Sequence, residues 1–247
     1  MRLRVFLTSV FLVCLISSQA FAAHPLITDD TGTQGRGKFQ LELNAEYASD
    51  SGNTETALGA TLSAGLLENV DIVIGTPYII LREKDEAGHW SSEDGISDLS
   101  LSVKWRFYEH DGLSFALKPG VTLATGNEAR GLGEGKPTYS LFFITTKELE
   151  PFTLHLNLGY IANRREVRDI WHYSLAAEYA ASKNIRIVGN IGGETNPDRA
   201  SNVHPLFALG GLIFNATDNL DIDFGIKTGL NKAEADYTLL AGIAFRF

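Results

Sequence analysis

Twelve stretches of about ten residues, in each of which apolar and polar side chains largely alternate, leave this chain few folds to adopt. They cover residues 38–48, 54–66, 70–81, 96–107, 113–124, 138–146, 152–161, 171–180, 185–193, 206–214, 220–230 and 236–247. Period-2 alternation puts one set of side chains on each face of a strand. In the first stretch Phe39, Leu41, Leu43, Ala45 and Tyr47 oppose Gln40, Glu42, Asn44 and Glu46. In the last, Tyr237, Leu239, Ala241, Ile243, Phe245 and Phe247 share one face, and Leu240 is the one large apolar residue on the other. After residue 22 no run of about 18 apolar residues occurs, so no spanning helix is available. Tilted strands of about 9–11 residues cross a bilayer just as well, provided that the sheet closes and leaves no edge. The expected fold is therefore all-β: a transmembrane antiparallel up-and-down β-barrel of about 12 strands over residues 38–247.

The connections alternate in length. The links at 67–69, 108–112, 147–151, 181–184 and 215–219 are short, whereas those at 82–95, 125–137, 162–170 and 194–205 are longer and richer in charge, Gly, Asn and Pro. Short periplasmic turns alternating with longer outer loops are expected of an outer-membrane barrel. Aromatic residues gather at strand ends: Tyr47, Tyr78, Tyr160, Trp171 and Tyr237 toward the loops, and Trp105, Phe107, Tyr179, Phe245 and Phe247 toward the turns. Amphipathic rings at both levels form girdles in the headgroup region of a bilayer. A soluble sandwich or lipocalin-like barrel also alternates, but its core calls for aromatics at strand centres rather than strand ends.

The amino-terminal segment agrees with export. Arg2 and Arg4 precede an apolar run over 5–16, and Ala20-Phe21-Ala22 completes a secretory signal over 1–22, with cleavage expected before Ala23. Cys14 lies inside that run after Val13 and is expected to leave with it. Its removal takes two of 21 basic residues and none of 30 acidic ones, moving the formal charge from −9 to −11. Such a balance argues against nucleic acid as a partner, and no cysteine is left for a disulfide.

Several segments resemble a known family. They are His24-Pro-Leu-Ile-Thr-Asp-Asp-Thr-Gly-Thr-Gln-Gly-Arg-Gly-Lys38, GISDLSLSVKWRF from Gly95 to Phe107, KPGVTLATGNEARGLGEGK from Lys118 to Lys136, LHLNLGY from Leu154 to Tyr160, and Gly229 to Asn231. Together they are similar to a bacterial outer-membrane β-barrel family labelled as transporters of the meta-pathway of phenol degradation, over the whole of residues 24–247. Ala124 departs from the Pro that the family favours before Thr-Gly. The resemblance implies a barrel with a transport label and does not establish phenol as cargo.

Twelve strands lie between the filled eight-stranded barrel and the open sixteen-stranded porin, so a narrow lumen is expected. The inward, polar face supplies its lining candidates: Asp98, Lys104, Lys118, His155, Asn157, Glu178, Arg186, Asp223 and Lys227. Both signs of charge occur, and such groups can satisfy one another in a wet lumen or steer a solute. Residues 23–37, with Asp29, Asp30 and Thr31, either fold into the periplasmic end of the lumen as a plug or gate, or fray as a tail. The family resemblance implies that the terminal aromatic, Phe247, serves as the signal that the outer-membrane assembly machinery reads.

No catalytic constellation emerges. Asp30-Thr31-Gly32 occurs once, without a partner carboxylate motif. Gly131 to Lys136 resembles a phosphate loop, but Arg130 and Pro137 break the pattern. His155 is followed two positions on by Asn157, where an outer-membrane phospholipase would carry Ser. No metal site and no cofactor are expected. The function indicated is an outer-membrane channel or transporter for small molecules, apolar or aromatic compounds among them, through a narrow polar lumen. The alternatives are a structural or adhesive barrel acting through its outer loops and, behind it, an outer-membrane lipid enzyme. The expected partners are outer-membrane lipid, the assembly machinery and a small-molecule solute, in the outer membrane of a Gram-negative bacterium.

Overall fold

A computed structural model describes residues 24–85, 88–163 and 167–247. The signal segment expected over 1–22 lies outside the described residues. Strands β1 (Phe39–Asp50), β2 (Asn53–Leu67), β3 (Val70–Lys84), β4 (Trp90–Ile96), β5 (Leu99–His110), β6 (Leu113–Leu123) and β7 (Thr138–Leu149) form the first half. β8 (Phe152–Ala162), β9 (Ile170–Ser182), β10 (Ile185–Glu194), β11 (Leu206–Thr217), β12 (Leu220–Gly229) and β13 (Tyr237–Arg246) complete one antiparallel sheet. Each strand pairs with its sequence neighbours except that β4 and β5 both pair with β3, and β1 pairs with β13 from Gln40 opposite Arg246 to Ser49 opposite Tyr237, so the sheet closes into a barrel.

Among the described residues, thirteen strands fill twelve positions. The turn half of β3 pairs with β5 through residues 70–75, and its loop half pairs with β4 through residues 78–84. β4 and β5 are thus one wall strand interrupted at Ser97 and Asp98, which corrects the continuous strand expected over 96–107. Pro77 lies opposite the interruption; it has no N–H to give the ladder, but its carbonyl accepts the Ser97 N–H at 2.9 Å. The loop expected over 82–95 is correspondingly a hairpin, with Lys84 paired to Trp90.

At one end of the barrel β2–β3, β5–β6, β7–β8, β9–β10 and β11–β12 are each joined by a two-residue turn. At Asp111-Gly112 both residues have positive φ, 48° and 68°, which suits a tight hairpin whose twist matches that of its strands. The opposite end carries the longer connections, including residues 124–137 with a short 3-10 turn at Glu128–Arg130.

The alternation resolves into two surfaces. Leu58, Ile74, Leu141, Leu158, Leu175, Ile191, Leu212 and Phe224 stand on the outside, and Phe224 is 63 % exposed. An apolar band running round the whole circumference needs lipid against it, because water would penalise it. Ring pairs mark its rims: Tyr47 with Tyr237 at 6.5 Å and Tyr160 with Trp171 at 4.9 Å toward the loops, and Phe152 with Tyr179 at 5.1 Å and Phe39 with Phe247 at 5.7 Å toward the turns. Inside, polar side chains share the wall with apolar patches, the largest joining Ala176, Val188, Phe207, Leu209, Ile213 and Leu240.

Candidate functional site

Residues 24–37 run inside the barrel and bond to strands on opposite sides of it. His24 Nδ1 meets an Asp223 carboxylate oxygen on β12. Leu26 joins the apolar patch on β9 to β13. Asn190 of β10 accepts the N–H groups of Ile27 and Thr28 at 2.8 and 3.0 Å, and its amide nitrogen donates to Thr28 Oγ1 at 2.7 Å. Thr31 N–H donates to Thr146 Oγ1 at 3.1 Å, and its hydroxyl meets Ser114 Oγ at 2.5 Å. Gln34 N–H donates to Asp71 at 3.0 Å, and Gly37 N–H to the Gly65 carbonyl at 2.8 Å. A side chain on Gly65 would overlap the Gly35 carbonyl, so this close approach requires glycine there.

Asp29 sits at the middle of the segment. One of its oxygens lies 2.8 Å from Lys104 Nζ and the other 2.5 Å from Lys118 Nζ. The Asn157 amide brackets the Asp29 peptide when its nitrogen is assigned to donate to the Asp29 carbonyl at 2.9 Å and its oxygen to accept the Asp29 N–H at 2.6 Å. Asp30 lies 3.7 Å from Lys104 and accepts the Gly32 N–H. Burial alone would raise its carboxyl, but Lys104, His155 and the Gly32 N–H together hold it below the ordinary value.

The other inward candidates divide into separate clusters. His155 lies 3.3 Å from Glu178 and 2.9 Å from Thr146 Oγ1. Glu178 pairs with Arg186 at 2.7 Å, and Arg186 and Arg246 both reach Asp221, at 3.5 and 2.6 Å. Lys227 pairs with Glu234 at 2.9 Å and stands 5.7 Å from the Phe207 ring centre. Asp98 faces the loop over 124–137, accepting the N–H groups of Gly126 and Glu134 at 2.8 Å each. That loop turns inward, with Leu132 buried against Ile79 and Leu81. Phe247 exchanges two backbone hydrogen bonds with Phe39 at the closing seam. Among the described residues no group of three or more His, Cys, Asp or Glu is placed to hold a metal.

Sequence reasoning passed over Asn190, Asp71, Asp221 and Ser114. Each falls on the inward face by the same alternation, and a small polar residue there is the available signal. Nothing local signals that Gly211 and Gly225, paired across β11 and β12, form the flat wall against which Pro25 lies.

Between residues 29–34 and the turn end of the wall lies a cavity of about 570 Å³. Lys104, Lys118, Asp71, Glu42 and Arg246 line it together with Val73, Ile213, Phe39 and Phe247.

A closed barrel with an apolar outer band, a partly polar interior and a chain segment lying in its lumen belongs to the outer-membrane barrel class. More narrowly, the chain belongs to the family described as "Putative MetA-pathway of phenol degradation", whose model matches residues 22–247. Among solved structures it is similar to the COG4313 outer membrane channel from Pseudomonas putida F1, at 13% identity and a TM-score of 0.71, covering 88% of this chain and 98% of that one. It is also similar to the NanC porin, at 11% identity and a TM-score of 0.62 over 83% and 98% of the two chains. The KdgM porin matches at 8% identity and a TM-score of 0.58 over 84% and 99%. At these identities the likeness is one of fold. No curated protein matches the sequence.

Proposed function

We propose that the protein is an outer-membrane channel for small molecules, apolar and aromatic compounds among them, and that residues 24–37 act as its plug. The observation that carries this reading is the cavity of about 570 Å³ inside a closed barrel whose exterior is apolar. A barrel of twelve positions has room for one narrow passage, which a short extended segment suffices to obstruct. Val73 and Ile213 in the cavity wall, and the apolar patch around Leu209, support an apolar or aromatic solute over a purely hydrophilic one. The bonds from residues 24–37 to β3, β6, β7, β10 and β12 support a plug over a frayed tail. Lipid contacts along the outer band and delivery by the assembly machinery belong to the same reading.

The test is single-channel recording of the purified chain in planar bilayers, beside a variant lacking residues 24–37, together with uptake of aromatic solutes into proteoliposomes. Small, infrequent steps for the full chain and several-fold larger ones for the variant are expected. Folded barrels that give no steps in either form would replace this reading with a structural barrel acting through its loops.

A further inference from the structure

We infer that Lys104 and Lys118 form a binding site for the carboxylate of a small organic acid, and that Asp29 occupies it as an internal stand-in. The inference rests on the channel reading and names a solute class for it.

The two lysines come from adjacent strands. Ser102 lies opposite Gly120, and Trp105 opposite Leu117, a register that sets Lys104 against Lys118 on the inward face. Like charges directly opposite each other destabilise a sheet. With residues 24–37 seated, both are withdrawn from solvent, at 8 % and 4 % exposure, which adds a desolvation cost for each in that arrangement. A wall built this way calls for an anion between the two ammonium groups. Asp29 supplies it with one oxygen to each, yet Asp29 belongs to the threaded segment and not to the wall. The site is thus a property of the barrel, and its present occupant is separable from it.

Wall acids line the same cavity, among them Asp71, opposite Lys104 on β3, which also receives the Gln34 N–H, and Glu42 on β1. Asp29 is nevertheless the carboxylate that bridges the two ammonium groups, at 2.8 and 2.5 Å. The same cavity has Val73 and Ile213 in its wall. A carboxylate carrying an apolar body, an aromatic acid such as benzoate, therefore fits better than a sugar acid. Because such an acid competes with Asp29, its binding favours departure of residues 24–37, and solute binding is coupled to opening.

The experiment uses the full chain in proteoliposomes and planar bilayers, with benzoate and its neutral relative benzamide as probes. Asp29→Asn keeps the shape of the side chain and removes its charge. The expected result is a rise of about tenfold in the benzoate to benzamide flux ratio, the size of one charge-assisted contact. The reversal potential in a KCl gradient should move toward chloride, and Asp29→Glu should stay near wild type. Lys118→Gln added to Asp29→Asn should return benzoate flux to its starting level and leave benzamide flux unchanged. Heat-modifiable mobility identifies folded barrels, and if the double variant does not fold, the reversal potential of Asp29→Asn decides. Equal rises for benzoate and benzamide with an unmoved reversal potential would overturn the site and leave the channel standing. Calorimetry of benzoate with purified Asp29→Asn reads the site without any current. Binding there supports the site even in a barrel that conducts nothing, and no binding overturns it.

Discussion

Gly211 and Gly225 face each other across β11 and β12, and a Cβ on either would stand 2.7 or 2.8 Å from the Pro25 ring. Real side chains do not tolerate that approach, so the wall is flat where residues 24–37 begin. Gly225→Val is expected to separate the two roles of this position. Valine suits a strand better than glycine, so the barrel should persist. The clash with Pro25 should cost about 1–3 kcal/mol, borne by the seated segment, which corresponds to roughly tenfold more open time on the plug reading. Asn190→Ala should act in the same direction by removing the acceptor shared by Ile27 and Thr28. Open probability in planar bilayers measures both, and values at the wild-type level would show that the segment does not limit the current.

Among the elements, the loop over 124–137 is the second structure that enters the lumen, and its hold depends on a strand break. Asp98 lies in the interruption between β4 and β5, where its carboxylate is free of the pleat and can accept two loop N–H groups. Glu134, in that loop, has its carboxyl raised by burial and by the nearby Asp98 and Glu128 carboxylates. A raised carboxyl favours the packed loop when protonated. That contribution is complete below the ordinary glutamate value of 4.5 and is lost as pH rises through the higher packed-state value. Open probability should therefore fall on acidification from neutral pH toward 4.5, and Glu134→Gln should flatten the response. An acid response of unchanged size in that variant would assign it elsewhere. The elements also mark where the sequence is legible. Strands in the bilayer alternate because lipid and lumen demand opposite polarity at successive residues, so twelve positions can be counted. β4 stands clear on both faces apart from Glu93 and Gly95, which leaves no alternation to read. Lys104 and Lys118 are inward by the same counting, and Asp29 stands out in a polar leader. That the three meet depends on the path of a segment without periodicity, which no local pattern encodes.

At the scale of the molecule, everything inside depends on closure between β1 and β13. The seam is fully paired from Gln40–Arg246 to Ser49–Tyr237, and its turn end is finished by Phe247. The Phe39 N–H donates to the Phe247 carbonyl oxygen at 2.8 Å, the Phe247 N–H donates back at 3.0 Å, and the two rings stack at 5.7 Å. Phe245 adds a second stacked ring at 5.6 Å, so the aromatic girdle crosses the seam without a gap. An open seam in lipid would expose backbone groups with no water to satisfy them, which makes closure and insertion one event. Deleting Phe247 removes two seam hydrogen bonds and one ring at the rim of the turn-end cavity, while the contacts of Asp29 with Lys104 and Lys118 involve no atom of it. It should lower the amount of folded, heat-modifiable barrel in the membrane several-fold, while those barrels that do form conduct like wild type. Normal yield with altered conductance would assign Phe247 to the passage, whose turn-end cavity it also lines, and would remove it from assembly.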